Sequence, residues 1–156
     1  MWQDEMQKIV KEQKEYHEII MPRANPLKIL ALSAKAKRKY GVTLPKGYLD
    51  FLRSYDGMVF NGYNIFGTQK TKFDIELIEQ NEFYREDEDD PFFYFGFSDM
   101  DLFVYDSETK KYEVTDGSGE IWASYDTFEE LLEYILKGSL EGSLDISEES
   151  EEDEED

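Results

Sequence analysis

Apolar residues recur at helical spacing early in the chain and alternate along short runs later, with turn-forming residues between. Trp2, Met6, Ile9, Val10, Tyr16 and Ile20 stand among Lys and Glu near helical spacing. They predict an amphipathic helix over 2–20, closed by Met21-Pro22. Asn25-Pro26 reads as an N-cap followed by Pro at the first helical position. Leu27, Leu30, Ala31 and Ala34 form the expected stripe of this second helix. It ends in Lys35-Ala36-Lys37-Arg38-Lys39, where cations suit the C-terminal dipole, with Gly41 just past the end. Leu44-Pro45 opens a third helix whose inward residues are Tyr48, Leu49, Phe51, Leu52 and Tyr55, and Asp56-Gly57 stops it.

Period two then takes over. Met58-Val59-Phe60 and Tyr63-Asn64-Ile65-Phe66 flank Asn61-Gly62, the sequence of a two-residue type I′ hairpin turn. A short helix is expected over 75–85. An acidic loop, Glu86-Asp87-Glu88-Asp89-Asp90, ends at Pro91. Three strands follow, Phe93–Phe97, Leu102–Tyr105 and Lys111–Val114, joined by turns short enough to require antiparallel pairing. After Asp116-Gly117-Ser118-Gly119 comes a strand over Glu120–Ala123. Asp126-Thr127-Phe128-Glu129 has capping-box spacing with Asp126 as the cap. Leu131, Leu132, Ile135 and Leu136 mark a last helix that Gly138 should end. The reading is one domain over 1–138 (core 25–137) and an acidic, flexible tail over 139–156. Its class is α+β: N-terminal helices, an antiparallel sheet flanked by helices, and a C-terminal helix.

Composition narrows the function. The chain of 156 residues carries a net charge of −20, which opposes contact with phosphate backbones or an anionic membrane surface and favours a basic protein partner. The charge is uneven. Residues 1–72 are net +6, residues 73–140 net −16, and residues 141–156 carry 10 acids and no base. There is no Cys, so disulfides and thiolate chemistry are absent. No apolar run is long enough to span a bilayer, and the start lacks the pattern of a secretory signal, so a cytoplasmic location is expected.

Catalytic chemistry finds little footing. The single His17 sits among Lys and Glu and reads as a surface residue. No G-x-S-x-G, P-loop or dinucleotide fingerprint occurs. Asp99 and Asp101 have D-x-D spacing without the Gly and Glu that a calcium loop needs, and Glu86–Asp90 reads as a solvated loop, so no metal and no cofactor is expected. Some pair of carboxylates at glycosidase distance is inevitable among 37 acids, so that pattern carries no weight. The Phe93, Phe95, Phe97 alternation lacks the cationic flanks of a base-stacking platform and reads as sheet core.

The stretch Leu44-Pro45-Lys46-Gly47-Tyr48-Leu49-Asp50-Phe51-Leu52-Arg53-Ser54-Tyr55-Asp56-Gly57 resembles the LP-x-x-Y-x-x-F-L-x-x-x-x-G pattern of the SUKH superfamily. That superfamily includes Smi/Knr-type cell-wall regulators of yeast and many bacterial immunity proteins. Phe60–Gly67 and Asn81–Arg85 resemble its YrhA-type branch. Gly119-Glu120-Ile121-Trp122, followed by Phe128-Glu129-Glu130-Leu131-Leu132, is similar to the family's closing pattern. The resemblance covers about residues 25–137. It implies an antiparallel sheet flanked by helices and a binding role without shared catalytic residues. It further implies an immunity protein that binds and neutralises a toxin, often a nuclease. The alternatives are a regulatory or scaffold protein with no toxin partner and, more remotely, a carboxylate-pair enzyme. The expected contact residues are Glu86, Asp87, Glu88, Asp89 and Asp90, with Asp99 and Asp101 on the neighbouring turn, in a monomer or weak homodimer.

Overall fold

The computed structural model describes the backbone of residues 1–155 and the side chains of residues 1–141. Helices α1 (Trp2–Glu15), α2 (Pro26–Tyr40) and α3 (Lys46–Ser54) come first. Strands β1 (Met58–Phe60) and β2 (Tyr63–Ile65), helix α4 (Leu77–Tyr84) and strands β3 (Phe92–Phe97), β4 (Leu102–Asp106), β5 (Lys111–Thr115) and β6 (Ile121–Tyr125) follow, then α5 (Phe128–Glu155). The six strands form one sheet in chain order, with every pair antiparallel. The α+β class and the helix-flanked antiparallel sheet are as the sequence predicts.

Several helix ends and faces differ from the expectation. Helix α1 stops before residue 20. His17 N–H donates to Lys14 O and Glu18 N–H to Gln13 O, with His17 at φ 56°. That pair of bonds is a Schellman closure, so the only histidine ends the helix and Ile19 and Ile20 lie beyond it. Helix α2 begins as predicted, with Asn25 Oδ1 accepting from Leu27 N–H at 2.8 Å, and ends at Gly41 in the left-handed region. Its inward stripe is Ile29, Leu32 and Ala36. Leu27 and Leu30, 73% and 67% exposed, occupy the opposite side with Ala31 and Ala34. The cap of α5 is Thr127, one residue later than expected. Thr127 Oγ1 accepts from Glu130 N–H at 3.2 Å and lies 3.1 Å from Glu130 Oε1. Asp126 is ion-paired with Lys111 instead. Helix α5 runs through Gly138 to Glu155. The flexible tail expected over 139–156 therefore starts inside a helix, and most of it lies outside the residues whose side chains are described.

Register decides which residues share a face of the sheet. Asn61 (φ 49°) and Gly62 (φ 81°) make the β1–β2 turn, a conformation with φ > 0 at both central positions. The row Phe93, Tyr105, Tyr112 and Tyr125 points at the helices. There Phe95 packs edge-on against Tyr48 at 5.0 Å and tilts against Phe128 at 5.1 Å. Trp2 closes the layer from α1 onto Phe51 at 5.4 Å, and α1 lies along α5. The next row, Tyr94, Val104, Glu113 and Ser124, points the other way. A bulge between Tyr94 and Gly96 inserts one residue into β3. It breaks the alternation read from Phe93, Phe95 and Phe97. The first two join the helix-side core, while Phe97 turns to the far side and meets Phe66 and Tyr84.

Strand β2 pairs only with the end of β3, so the first half of β3 has an open edge. Asn81 of α4 fills it. Its Oδ1 accepts from Tyr94 N–H at 2.8 Å, and its Nδ2 donates to Tyr94 O at 2.9 Å. A fully buried amide thus copies a neighbouring strand's pair of bonds.

Candidate partner-binding clefts

The loop between α4 and β3 is built by its own acids. Asp90 accepts from Phe92 N–H at 2.9 Å and Glu86 N–H at 3.2 Å, and Asp87 from Asp89 N–H at 2.8 Å. Arg85 pins the loop to the sheet by donating to Phe92 O at 2.7 Å, while its guanidinium stacks 4.8 Å from the Tyr40 ring. Asp87 and Asp90 therefore shape the loop, and Glu86, Glu88 and Asp89 are left to present charge. The loop overhangs the far face of the sheet. It forms one wall of a cleft of about 380 Å³ whose floor is Phe92, Tyr94, Leu102 and Thr115. The opposite wall is the β5–β6 turn with Asp116. No basic side chain lies among the described lining residues. Burial, helped by the negative charges of Asp90 and Glu86, pushes the Tyr94 hydroxyl up to about 12. Thr115 Oγ1, buried at the floor, has no partner among the described residues.

Asp99 and Asp101 are not among the residues lining this cleft. They lie on the β3–β4 turn, at the opposite end of β3 from residues 86–90. Asp99 stands beside Gly62 of the β1–β2 turn. Asp101 is partly buried, and this, together with the charge of nearby Asp116, raises its carboxyl above the usual range.

A second cleft, of about 570 Å³, opens along α5. Tyr63, Tyr125 and Tyr134 line it with Glu130, Glu133, Lys137, Gly138 and Glu141. The α5 residues fall at helical spacing on one side of the helix. Tyr134 lies 6.1 Å from Tyr125 and 6.4 Å from Phe103, and Phe103 stacks on Tyr63 at 6.1 Å. Gly138 explains how the helix passes here: a Cβ at that position would come within 2.9 Å of Tyr63 Oη. Burial first, then the charges of Asp101, Glu141 and Asp99, raise the Tyr63 hydroxyl. The two turn acids thus belong to the electrostatics of this second cleft. The tyrosines come from β2, β6 and α5 and are far apart in the chain, so no local pattern announces them.

Among the described residues, Glu113 is one of three acids buried outside both clefts, with Asp56 and Asp106. Glu113, 2% exposed, lies between Val104 and Ser124 in the far-face row. Its Oε2 accepts from Thr109 Oγ1 at 3.0 Å, while Oε1 has no donor among the described residues. Burial, followed by the neighbouring Asp106 carboxylate, pushes it up to about 7. A proton on Oε1, donated to Asp106, accounts for the missing partner. Among the described residues, no group of three or more His, Cys, Asp or Glu side chains could hold a metal ion. None of their helices is long and apolar enough to cross a membrane.

Residues 31–134 match the SMI1 / KNR4 family (SUKH-1). No curated protein matches the chain.

Proposed function

We propose that this chain, which belongs to the SMI1 / KNR4 family (SUKH-1) by a match over more than half its length, is an immunity-type binding module. It works in the cytoplasm and neutralises a toxin with a basic, nuclease-like surface. The observation that carries the reading is the first cleft: acids on both walls, an aromatic floor, and no base among its described lining residues. A nuclease grips phosphate with cations, so an acidic blocker both attracts such a surface and covers it. Within the expected contact set, Glu86, Glu88 and Asp89 make the approach, Asp87 and Asp90 hold the loop in shape, and Asp99 and Asp101 form a second patch at the far end of β3.

The test pairs this chain with basic nuclease toxin domains, starting with any encoded beside it. Co-expression restores growth, and the two proteins elute as one complex. The triple variant Glu86→Lys, Glu88→Lys, Asp89→Lys then associates at least ten-fold more slowly at low ionic strength, with a flatter salt dependence. An unchanged association rate at low salt refutes the loop as the steering element. Loss of protection with the loop intact and no complex formed refutes the toxin reading itself and leaves a scaffold role.

A further inference from the structure

The cleft along α5 is not an acidic patch alone. It is concave, carries three aromatic rings, and draws carboxylates from α5 and the β3–β4 turn around them. We propose that it is a docking pocket for an arginine side chain of the bound protein, with the guanidinium laid on a tyrosine face and its N–H groups directed at the surrounding carboxylates. The proposal rests on the reading of the chain as a protein-binding module and adds to it a place and a residue type.

Three features argue for arginine. Tyr125 and Tyr134 stand 6.1 Å apart at 45°, an open wedge rather than a closed stack. A planar guanidinium lies on such faces and still directs its N–H donors at carboxylates, which a compact ammonium cannot do as well. The charge complements a cation, since Glu130, Glu133 and Glu141 face Lys137 as the one base among the described lining residues. The present engagements of these acids are weak ones. Glu133 lies 3.6 Å from the amino group of Met1, an exposed ion pair that a better cation displaces, and Glu130 Oε1 lies 3.1 Å from Thr127 Oγ1 at the surface. Space is the third feature. Gly138 has no side chain to fill the cleft beside Tyr63, and a volume of about 570 Å³ is within the range of pockets that take one small ligand or side chain.

The experiment is a nuclear magnetic resonance titration of the full chain at low salt with the acetylated, amidated peptide Gly-Arg-Gly-Arg-Gly. Two controls replace its arginines with lysine and with uncharged citrulline. The arginine peptide should shift resonances of Tyr63, Tyr125, Tyr134 and Glu133 with weak affinity, about 1 mM. The lysine peptide should bind several-fold more weakly and the citrulline peptide not at all. Tyr125→Leu and, separately, Glu133→Gln should each weaken the arginine peptide at least three-fold while leaving the remaining spectrum intact. Shifts confined to the cleft under residues 86–90 overturn the pocket and leave the basic-partner reading standing. Equal shifts from citrulline, or none from arginine, overturn the pocket outright.

Discussion

Replacing Glu113 with Gln should make the protein less sensitive to alkali. In the native state the carboxyl holds its proton to about pH 7, against an ordinary value of 4.5. In the unfolded chain it loses that proton near the ordinary value. Between those limits the native state binds more protons than the unfolded state, so stability falls as pH rises through the window and levels off above it. The full shift corresponds to about 3 kcal/mol at ~1.4 kcal/mol per unit. Gln is neutral throughout. Its carbonyl can keep the bond from Thr109 Oγ1, and its amide can donate to Asp106 where the protonated acid does now. Between about pH 5.5 and about pH 8 the stability of Glu113→Gln relative to wild type should therefore rise by about 2 kcal/mol. Urea unfolding followed by fluorescence of the buried Trp2 measures both proteins at each pH. Reading the difference between them cancels the titration of groups that do not interact with Glu113. A gap that stays constant, or that narrows toward alkali, refutes the proton on Oε1.

Two further substitutions test features of the fold. Asn81→Ala should cost about 3 kcal/mol, since it leaves both backbone groups of Tyr94 without their partner; a loss in urea below about 1 kcal/mol would mean that water takes the amide's place. Thr127→Ala should cost about 1 kcal/mol and Asp126→Ala a few tenths, measured by thermal unfolding; the reverse order would put the cap of α5 back at Asp126.

Local chemistry made much of the fold legible. Asn25-Pro26, Gly41 and Asn61-Gly62 each restrict the backbone on their own, and each stands where the sequence places it. Periodicity failed where two stripes were available. Helix α2 has apolar residues on both sides, and packing chose Ile29, Leu32 and Ala36 over Leu27 and Leu30. Gly138 reads as a stop, yet the close passage of Tyr63, which no neighbouring residue reveals, gives it a different task. Phe97 left its expected face because a bulge depends on the partner strand. The loop acids 86–90 were visible as a charge run, but the bonds that divide them into shape-holding and charge-presenting members were not. Nothing in the strand Lys111–Val114 marks Glu113 as buried, since burial on the second face of a sheet depends on what the chain lays over it.

The meander has a consequence for how such a molecule changes over time. Because no strand reaches past its neighbour in the chain, lengthening the connection after Asp106 or after Thr115 would displace no other pairing. The rim can therefore be rewritten one connection at a time while the scaffold beneath keeps its alignment, and a single architecture can be fitted to chemically unlike partners by short insertions.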